Sequence, residues 1–227
     1  MTTDVIETGA GISAIYADKP SNYFGNARSD IVALLPTGQD SWILELGCGS
    51  GGTGRAARAA GKAGHYVGIE LSAQAAAAAR DGLDEVLVGD VATVDLSDLA
   101  GRFDALIVSE VLEHLTDPWR ELARLAACLK PGAFVAASSP NVSDRRVLWQ
   151  IARGKFDYQE SGVMDRTHLR WFTPQSYRAM FEQAGIEVIS LRPICPPGRL
   201  GKLLISLSGG RLAHMFMTQM MVIGRKR

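Results

Sequence analysis

Residues 42–54 read Trp42-Ile-Leu-Glu-Leu-Gly-Cys-Gly-Ser-Gly-Gly-Thr-Gly54. A short apolar run is followed by closely spaced glycines, and the alanine-rich stretch Arg55–Ala60 favours a helix. The pattern predicts a buried strand, a tight turn and a helix start whose free N–H groups face a ligand. Gly47, Gly49 and Gly52 also fit the GxGxxG spacing of dinucleotide-binding turns. This stretch alone therefore leaves the ligand open.

Composition narrows the class of protein. The chain has 227 residues, 47% of them hydrophobic and 21% charged, which is typical of one globular domain. The 24 basic and 24 acidic residues cancel, so no net field attracts nucleic acid. The three cysteines form no CxxC or Cys/His ligand pattern, and no basic-then-apolar leader opens the chain. We therefore expect a cytoplasmic protein without a transmembrane segment and without nucleic-acid binding; the oligomeric state cannot be read.

Predicted strands alternate with predicted helices, which indicates a doubly wound, mostly parallel α/β sheet. Strands are predicted at residues 42–46, 65–71, 85–90, 103–109, 133–138, 186–191 and 217–224. Helices are predicted at residues 26–35, 52–63, 73–80, from 118 to a stop at 131–132, at 143–153 and at 173–185. We expect a single domain 1–227, with N-terminal cap helices at 1–38 and a cofactor-binding core at 40–140. An acceptor lid and helix would follow at 141–185, and C-terminal strands with an inserted basic segment at 186–227.

Three acidic residues lie near the predicted strand ends, at the edge where open α/β sheets bind ligands. Glu70 lies about twenty residues beyond the glycine turn, where a carboxylate can accept from both ribose hydroxyls. Asp90 ends the next strand, where it can accept from the amino group of adenine. Glu45 precedes the glycines and is placed to orient the turn or to meet an ammonium group. One such acid could be a solvated residue after a strand, but a series indicates a nucleoside site.

Five motifs occur together in order. They are Glu45-Leu-Gly-Cys-Gly-Ser-Gly51, Gly68-Ile-Glu-Leu-Ser72, Val88-Gly-Asp-Val91, Phe103-Asp-Ala-Leu-Ile-Val-Ser-Glu-Val-Leu-Glu-His-Leu115 and Leu129-Lys-Pro-Gly132. This order resembles class I S-adenosylmethionine-dependent methyltransferases over about residues 40–140. Met164-Asp-Arg-Thr-His-Leu-Arg-Trp-Phe-Thr-Pro174 resembles a motif of the ubiquinone-type O-methyltransferase-like group, many of which are predicted to act on sugars or envelope glycans.

The resemblance implies a Rossmann-like sheet of seven strands, six parallel and the last antiparallel, inserted between the fifth and sixth. It also implies S-adenosylmethionine as cofactor. The implied cofactor-binding residues are Glu45, Gly47, Cys48, Gly49, Gly51, Glu70, Leu71, Asp90, Val91, Ser109 and Glu110. Tyr23 and Arg28 are further candidates, to close over the cofactor and meet its carboxylate, or else they form a pair on a helix surface.

Two of the four histidines are candidates for the catalytic base. His114 follows the fourth strand, and His168 lies in the loop after the fifth. A neutral imidazole can take a proton from a hydroxyl acceptor at neutral pH. The alternative for His114 is a packed histidine at a helix start, and for His168 a role in pinning its loop.

The spacing of Glu110, Glu113 and His114 can bring two carboxylates and an imidazole together on one helical turn. With His168 they would offer two oxygens and two nitrogens to Mg²⁺, Mn²⁺ or Zn²⁺. The ExxEH pattern resembles metal-dependent O-methyltransferases that act on catechol-like or ribose diols. The same letters occur in metal-free methyltransferases, so no metal is favoured.

Two further segments bear on the acceptor. The loop 154–172 is the predicted lid, and its aromatic residues are expected to stack on an acceptor ring or to hold the loop down: Phe156, Tyr158, Trp171 and Phe172. Arg199–Leu207 with Arg211 is a basic amphipathic stretch. We expect it to be a helix that covers the sheet edge, with peripheral contact to a membrane-bound acceptor as the alternative.

The sequence therefore predicts a methyltransferase that transfers a methyl group to a hydroxyl of a sugar, glycan or small molecule. Three alternatives stay open: a metal-assisted O-methyltransferase on a vicinal diol, a nicotinamide-dependent oxidoreductase, and a module that binds the cofactor without turnover. Against the oxidoreductase, the chain has no YxxxK dyad of the short-chain dehydrogenase type.

Overall fold

The structure is a computed structural model that describes residues 27–227. Its seven strands are ordered β3-β2-β1-β4-β5-β7-β6. The strands are β1 (Trp42–Leu46), β2 (His65–Glu70), β3 (Glu85–Val88), β4 (Phe103–Ser109), β5 (Leu129–Pro140), β6 (Ile186–Pro193) and β7 (Gln219–Lys226). The helices are α1 (Ser29–Val32), α2 (Gly52–Ala59), α3 (Ala73–Ala79), α4 (Pro118–Ala127), α5 (Arg145–Ala152), α6 (Pro174–Gln183) and α7 (Arg199–Leu207).

Strand pairing follows the predicted topology. β1 pairs with β2 and β2 with β3 in parallel, as does β4 with β5. β7 lies between β5 and β6 and is antiparallel to both. The predicted Rossmann-like sheet, with its last strand inserted and antiparallel, is therefore confirmed.

The chain divides into two compact units, residues 1–98 and 99–227. In the first unit, Ile43 and Leu44 of β1 and Val67 of β2 are fully buried. Helix α2 packs closely because Gly54 has no side chain: a Cβ there would lie 2.2 Å from Cδ2 of Leu83. The close approach brings the glycine turn and α2 against the strands of this unit. The predicted division of the chain at residues 38, 140 and 185 stays a prediction.

The second unit is built on β4 and β5. Residues Ala105–Val108 are fully buried, as the continuous apolar run predicts. Two helices begin at the predicted caps: Asp117 accepts from the N–H of Arg120 at the start of α4, and Thr173 forms a capping box with Ser176 at the start of α6.

Some predicted boundaries are wrong. The helix predicted at 26–35 is the single turn Ser29–Val32, and the helix predicted to reach residue 63 ends at Ala59. Pro131-Gly132 does not close a helix, because α4 ends at Ala127 and β5 begins at Leu129. The β4–β5 register shifts between Phe103 and Ala105, so Pro131-Gly132 is accommodated as an irregularity within the strand pair.

No helix in residues 27–227 is both long and apolar enough to cross a membrane.

Candidate functional site

The glycine turn after β1 adopts a backbone that only glycine tolerates well. Gly47, Gly49 and Gly51 have φ angles of 73°, 54° and 80°. The amides of Gly47 and Cys48 donate to the carbonyl of Ile69, at 2.8 and 3.3 Å, which ties the turn to the end of β2. Gly51 is the N-cap of α2, so the free amides of that helix follow directly.

Glu70 links the glycine turn to the start of α3. Its Oε2 accepts from the N–H of Gly49 at 2.8 Å, and its Oε1 accepts from the N–H of Ser72 at 2.9 Å. The side chain is buried, and burial raises its pKa above the ordinary value. Each carboxylate oxygen keeps a further lone pair that could accept from a ligand hydroxyl.

Glu45 is enclosed beneath the turn. It is 3% exposed, and Oε2 accepts from the Tyr66 hydroxyl at 2.9 Å. Burial raises its pKa to about 7, although hydrogen bonds from Tyr66 and Thr53 oppose the shift. Near neutral pH this carboxyl is therefore divided between its neutral and charged forms.

The other predicted cofactor residues of this unit differ in their surroundings. Asp90 is partly exposed, and its Oδ1 accepts from the N–H of Ala92 at 2.9 Å, which orders the loop after β3. Cys48 and Val91 are buried and Leu71 is partly buried. The backbone N–H of Arg28 donates to the Thr53 hydroxyl at 3.3 Å beside α2.

The guanidinium of Arg28 pairs with Asp30 at 2.8 Å. Arg28 thus lies beside the helix that follows the glycine turn, in an ion pair with its own helix α1. Tyr23 lies outside the described residues.

In the second unit, the end of β4 presents Ser109 and Glu110. The hydroxyl oxygens of Ser109 and Ser138 are 3.2 Å apart, and Oε2 of Glu110 accepts from the Gln219 amide at 3.0 Å. Glu110 has a φ of 54°, the one left-handed non-glycine residue in the described chain. The predicted single helical turn is therefore wrong: the helical residues are Leu112–His114, in a 3₁₀ helix that excludes Glu110.

Glu113, His114 and His168 form a buried cluster. We call His114 and His168 the histidine pair, and Glu113 its acid. One ligand-type atom from each of the three lies within 4.8 Å of the others. The two imidazole rings meet edge to face with centroids 4.8 Å apart. Glu110 is not part of this group, in contrast to the predicted set of four.

Backbone carbonyls favour one tautomer of each neutral ring. Nδ1 of His114 lies 3.1 Å from the carbonyl oxygen of Thr167, and Nδ1 of His168 lies 3.1 Å from that of Val163. A carbonyl oxygen only accepts, so each Nδ1 must carry the hydrogen. In the neutral imidazole Nε2 is then the nitrogen that can accept a proton or bind a metal ion.

Glu113 also holds the loop that carries His168. Its backbone carbonyl accepts from the N–H groups of Leu169 and Arg170, at 2.8 and 3.0 Å. Its Oε2 accepts from the Ser139 hydroxyl at 3.1 Å, while Oε1 is buried without a hydrogen-bond partner among the residues described. Burial, reinforced by the charge of Glu110, raises the pKa of Glu113 well above its ordinary value.

The four lid aromatics divide into two groups. Phe172 is 1% exposed and packs on Tyr177 with ring centroids 5.2 Å apart, so it anchors the loop. Phe156 and Tyr158 are about half exposed, at 49% and 52%, and both contact the ring of Trp171. The Trp171 indole donates to the same Val163 carbonyl that accepts from His168, at 3.2 Å. The exposed aromatic surface is thus connected to His168 through Trp171 and the Val163 carbonyl.

Sequence reasoning missed the residues that hold the predicted ones. Tyr66, which holds Glu45, and Ser139, which holds Glu113, are examples, as are the carbonyls of Val163 and Thr167. Tyr66 could have been found from strand periodicity, because it is buried and lies two residues before Gly68, on the same face of the strand. A backbone carbonyl leaves no signal in a sequence.

Known proteins resemble this chain in sequence and fold. A family model for a methyltransferase domain matches residues 21–191. A ubiquinone biosynthesis O-methyltransferase of Bordetella bronchiseptica is 28% identical over 155 residues, which cover 66% of this chain and 64% of that protein. The chain thus spans slightly under two thirds of that relative's length. A trans-aconitate 2-methyltransferase of Deinococcus radiodurans is 32% identical over 199 residues, 80% of this chain and 76% of that protein.

The chain belongs to the methyltransferase domain family. This membership makes it a methyltransferase domain that uses S-adenosylmethionine, and it leaves the nicotinamide oxidoreductase alternative without support. Solved structures agree on the fold. A chain in the Haloferax volcanii complex of the Trm112 methyltransferase activator with a methyltransferase has a TM-score of 0.66 at 19% identity, covering 94% of this chain and 96% of that one. A methyltransferase of Archaeoglobus fulgidus has a TM-score of 0.63 at 15% identity, covering 91% and 97%.

The residues of the first unit fit this cofactor. The glycine turn offers a backbone without side chains and a helix N-terminus, and Glu70 offers lone pairs to ribose hydroxyls. These are the groups by which α/β folds hold a nucleoside.

Proposed function

We propose that the chain is an O-methyltransferase that acts on a hydroxyl of a small molecule or glycan, with the histidine pair as the base. The observation that carries the proposal is the cluster itself, in which the rings of His114 and His168 meet with centroids 4.8 Å apart beside the buried carboxyl of Glu113. The grouping of two imidazoles with a buried acid distinguishes this pair from His214, whose Nδ1 also lies near a backbone carbonyl but which is not in the cluster.

Bound S-adenosylmethionine supplies a methyl group on a sulfonium, which an acceptor oxygen displaces in line. The oxygen is a stronger nucleophile if its proton leaves during the reaction, and Nε2 of one histidine would take that proton. The positive charge of the imidazolium that forms would favour ionisation of the neighbouring Glu113 carboxyl, and the resulting ion pair would stabilise the protonated base. A positioned base of this kind contributes roughly 10²–10⁴-fold to the rate.

The exposed rings of Phe156 and Tyr158 support an acceptor with a flat or apolar face. Aromatic side chains stack on phenolic rings and on the apolar faces of sugars. Two relatives are named for ubiquinone biosynthesis and for trans-aconitate methylation, so related domains have acceptors of different chemistry. The contact of both rings with Trp171 supports acceptor binding near the histidine pair.

The proposal is tested with S-adenosylmethionine labelled on its methyl group. The 227-residue chain would be incubated with a catechol, a simple phenol, a reducing sugar and a dicarboxylic acid. We expect transfer to a hydroxyl acceptor, with an ether product that survives mild alkali. Transfer only to the carboxylic acid, as an alkali-labile ester, would contradict the proposal, because a carboxylate needs no base.

A metal-assisted reaction on a vicinal diol is the second candidate. The grouping of Glu113 with two imidazoles within 4.8 Å favours it, since two nitrogens and one oxygen suit Zn²⁺ or Mn²⁺. Both rings also donate Nδ1–H to carbonyls, as metal-binding histidines usually do. Metal analysis of the purified protein, before and after a chelator, decides between the candidates. A stoichiometric metal that His168→Ala abolishes, together with activity lost to chelation, would replace the metal-free base.

A further inference from the structure

Helix α7 (Arg199–Leu207) has three faces of different character. Gly201 and Ile205 face the protein, where a Cβ on Gly201 would lie 3.0 Å from the ring of Phe216. Four leucines project elsewhere, and the basic residues lie on the remaining side. The predicted helix is confirmed, its leucines are exposed, and its covering of the sheet edge stays a prediction.

The leucines form one continuous stripe, which we call the leucine stripe. Its members are Leu200, Leu203, Leu204 and Leu207, with exposed fractions of 69%, 54%, 37% and 76%. Leu203, Leu204 and Leu207 follow Leu200 by three, four and seven residues. At about 100° of rotation per residue, this spacing confines the four side chains to an arc of roughly 100°. Single exposed leucines are common on protein surfaces, whereas a stripe of this kind marks an interaction site.

Positive charge borders the leucine stripe. Arg199 and Lys202 lie on the exposed helix surface beside it, and Arg211 follows the helix. Neither Arg199 nor Lys202 is in an ion pair with any residue that the structure describes. From Val188 to Arg227 the chain has seven basic residues and no acidic one, so the rest of the chain carries 17 basic against 24 acidic residues. The charge of the neutral chain is thus strongly segregated.

We propose that α7 binds the surface of an anionic phospholipid bilayer. The leucine stripe enters the boundary between headgroups and acyl chains, and Arg199 and Lys202 stay at the level of the lipid phosphates. An apolar stripe flanked by basic residues is the pattern of helices that lie in a membrane interface. Each basic residue near an anionic surface adds to the attraction, which falls with salt.

Charge argues against a second copy of the chain as the occupant. Two copies that met through their leucine stripes would each bring basic residues and no acidic residue of α7 to the contact, and like charges repel. A bilayer of anionic lipid satisfies the leucines and the basic residues together. The inference holds whichever acceptor the methyltransferase uses.

The test is flotation of the 227-residue chain with two kinds of vesicle, of phosphatidylcholine alone and of phosphatidylcholine mixed with phosphatidylglycerol. We expect binding to the mixed vesicles that weakens as salt is raised, and much weaker binding to phosphatidylcholine alone. The variant Leu200→Gln/Leu203→Gln/Leu207→Gln keeps the helix propensity of leucine. It should lower the partition coefficient at least about tenfold, because buried methylene groups drive insertion.

A second variant and matched controls keep the test decisive. Arg199→Glu/Lys202→Glu should abolish the preference for phosphatidylglycerol. The controls are Ile189→Thr, at an equally exposed apolar position on β6, and Arg80→Glu/Arg102→Glu, at exposed basic positions in other parts of the chain. Both controls should bind as the original chain does.

Equal binding to both kinds of vesicle, or leucine and charge variants that bind as the controls do, would overturn the proposal. Sedimentation without lipid tests whether a second copy of the chain binds the leucine stripe instead. A dimer that dissociates in the leucine variant would assign the stripe to a second copy and would also overturn the proposal. Circular dichroism of each variant shows whether it is folded. If the leucine variant unfolds, the charge variant alone decides.

Discussion

Two buried acidic clusters lie in different units, and their hydrogen bonding differs. In the first unit, Glu70 has a backbone N–H on each carboxylate oxygen, and Glu45 is held by Tyr66. In the second unit, Glu113 has one oxygen held by Ser139 and one buried without a hydrogen-bond partner in residues 27–227. Its two histidine neighbours are each held by a backbone carbonyl 3.1 Å from Nδ1.

The difference separates two tasks. A cluster whose hydrogen bonds are satisfied within the protein is rigid, and such a cluster suits the binding of a cofactor that must be placed reproducibly. A cluster that brings two imidazoles together with a buried carboxyl, one of whose oxygens has no hydrogen-bond partner among the described residues, suits proton transfer or metal binding. We therefore propose that the first cluster binds the cofactor and that the second carries the acceptor chemistry.

The largest expected effect concerns the histidine pair. His168→Ala or His114→Ala should lower kcat for a hydroxyl acceptor by roughly 10²–10⁴-fold, because the lone pair that takes the proton is lost. The measurement is steady-state turnover with labelled methyl donor.

His214→Ala is the matched control for this comparison. Nδ1 of His214 also lies near a backbone carbonyl, that of Arg211 at 3.0 Å, but His214 does not belong to the histidine pair with its acid. Turnover of this variant should match that of the original chain. Retention of near-original turnover by both His114→Ala and His168→Ala would exclude a base or metal at this site.

An intermediate effect concerns the pH dependence of stability at Glu45. Its pKa is raised in the folded state from 4.5 to about 7, so the folded state holds a proton that the unfolded state has released between these values. Stability contributed by this group is therefore lost as the pH rises through that window, by up to about 3 kcal/mol.

Glu45→Gln removes the titrating group and keeps an oxygen that can accept from Tyr66. We expect the free energy of unfolding in urea to rise for the variant, relative to the original chain, between pH 4.5 and pH 7. The difference should persist above pH 7. Glu187→Gln, at an exposed position, should show no such gain. Parallel pH profiles for Glu45→Gln and the original chain would mean that Glu45 titrates normally.

The smallest expected effect concerns Gly51 in the glycine turn. Both Gly51 and Gly101 have positive φ, and alanine at either position should cost roughly 1–2 kcal/mol of stability. A Cβ on Gly51 would lie 3.2 Å from Cα of Ala79, whereas nothing lies within 4 Å of one on Gly101. The unfolding midpoint of Gly51→Ala should therefore lie at a lower urea concentration than that of Gly101→Ala. Equal midpoints would mean that the turn moves away from α3 at no cost.

The first cluster could be predicted from the sequence because its members are set by local patterns. A strand, a glycine turn and a helix start place Glu45 before the turn, and Glu70 ends the next strand in the same way. Strand β4 was predicted to the residue for the same reason, since its apolar run is continuous. Short-range pattern and backbone sterics were sufficient there.

The second cluster could be predicted only as a list of residue types. His168 lies beside His114 because the loop that carries it donates two backbone hydrogen bonds to the carbonyl of Glu113. This contact joins residues that are far apart in the chain. Glu110 lies outside the 3₁₀ helix Leu112–His114 and has a left-handed backbone, and the sequence around a non-glycine residue gives no signal of such a conformation. Helix α7 could be predicted as amphipathic, but periodicity does not say which of its faces meets the protein.

The division of tasks is tested most directly by calorimetric titration with S-adenosylhomocysteine, using the original chain, Glu70→Gln and His168→Ala. Glu70→Gln places an amide N–H₂ against one of the two backbone donors, so we expect its affinity to fall at least about tenfold. His168→Ala should bind the ligand as the original chain does, although it turns over slowly. Weakened binding by His168→Ala with unchanged binding by Glu70→Gln would contradict the account.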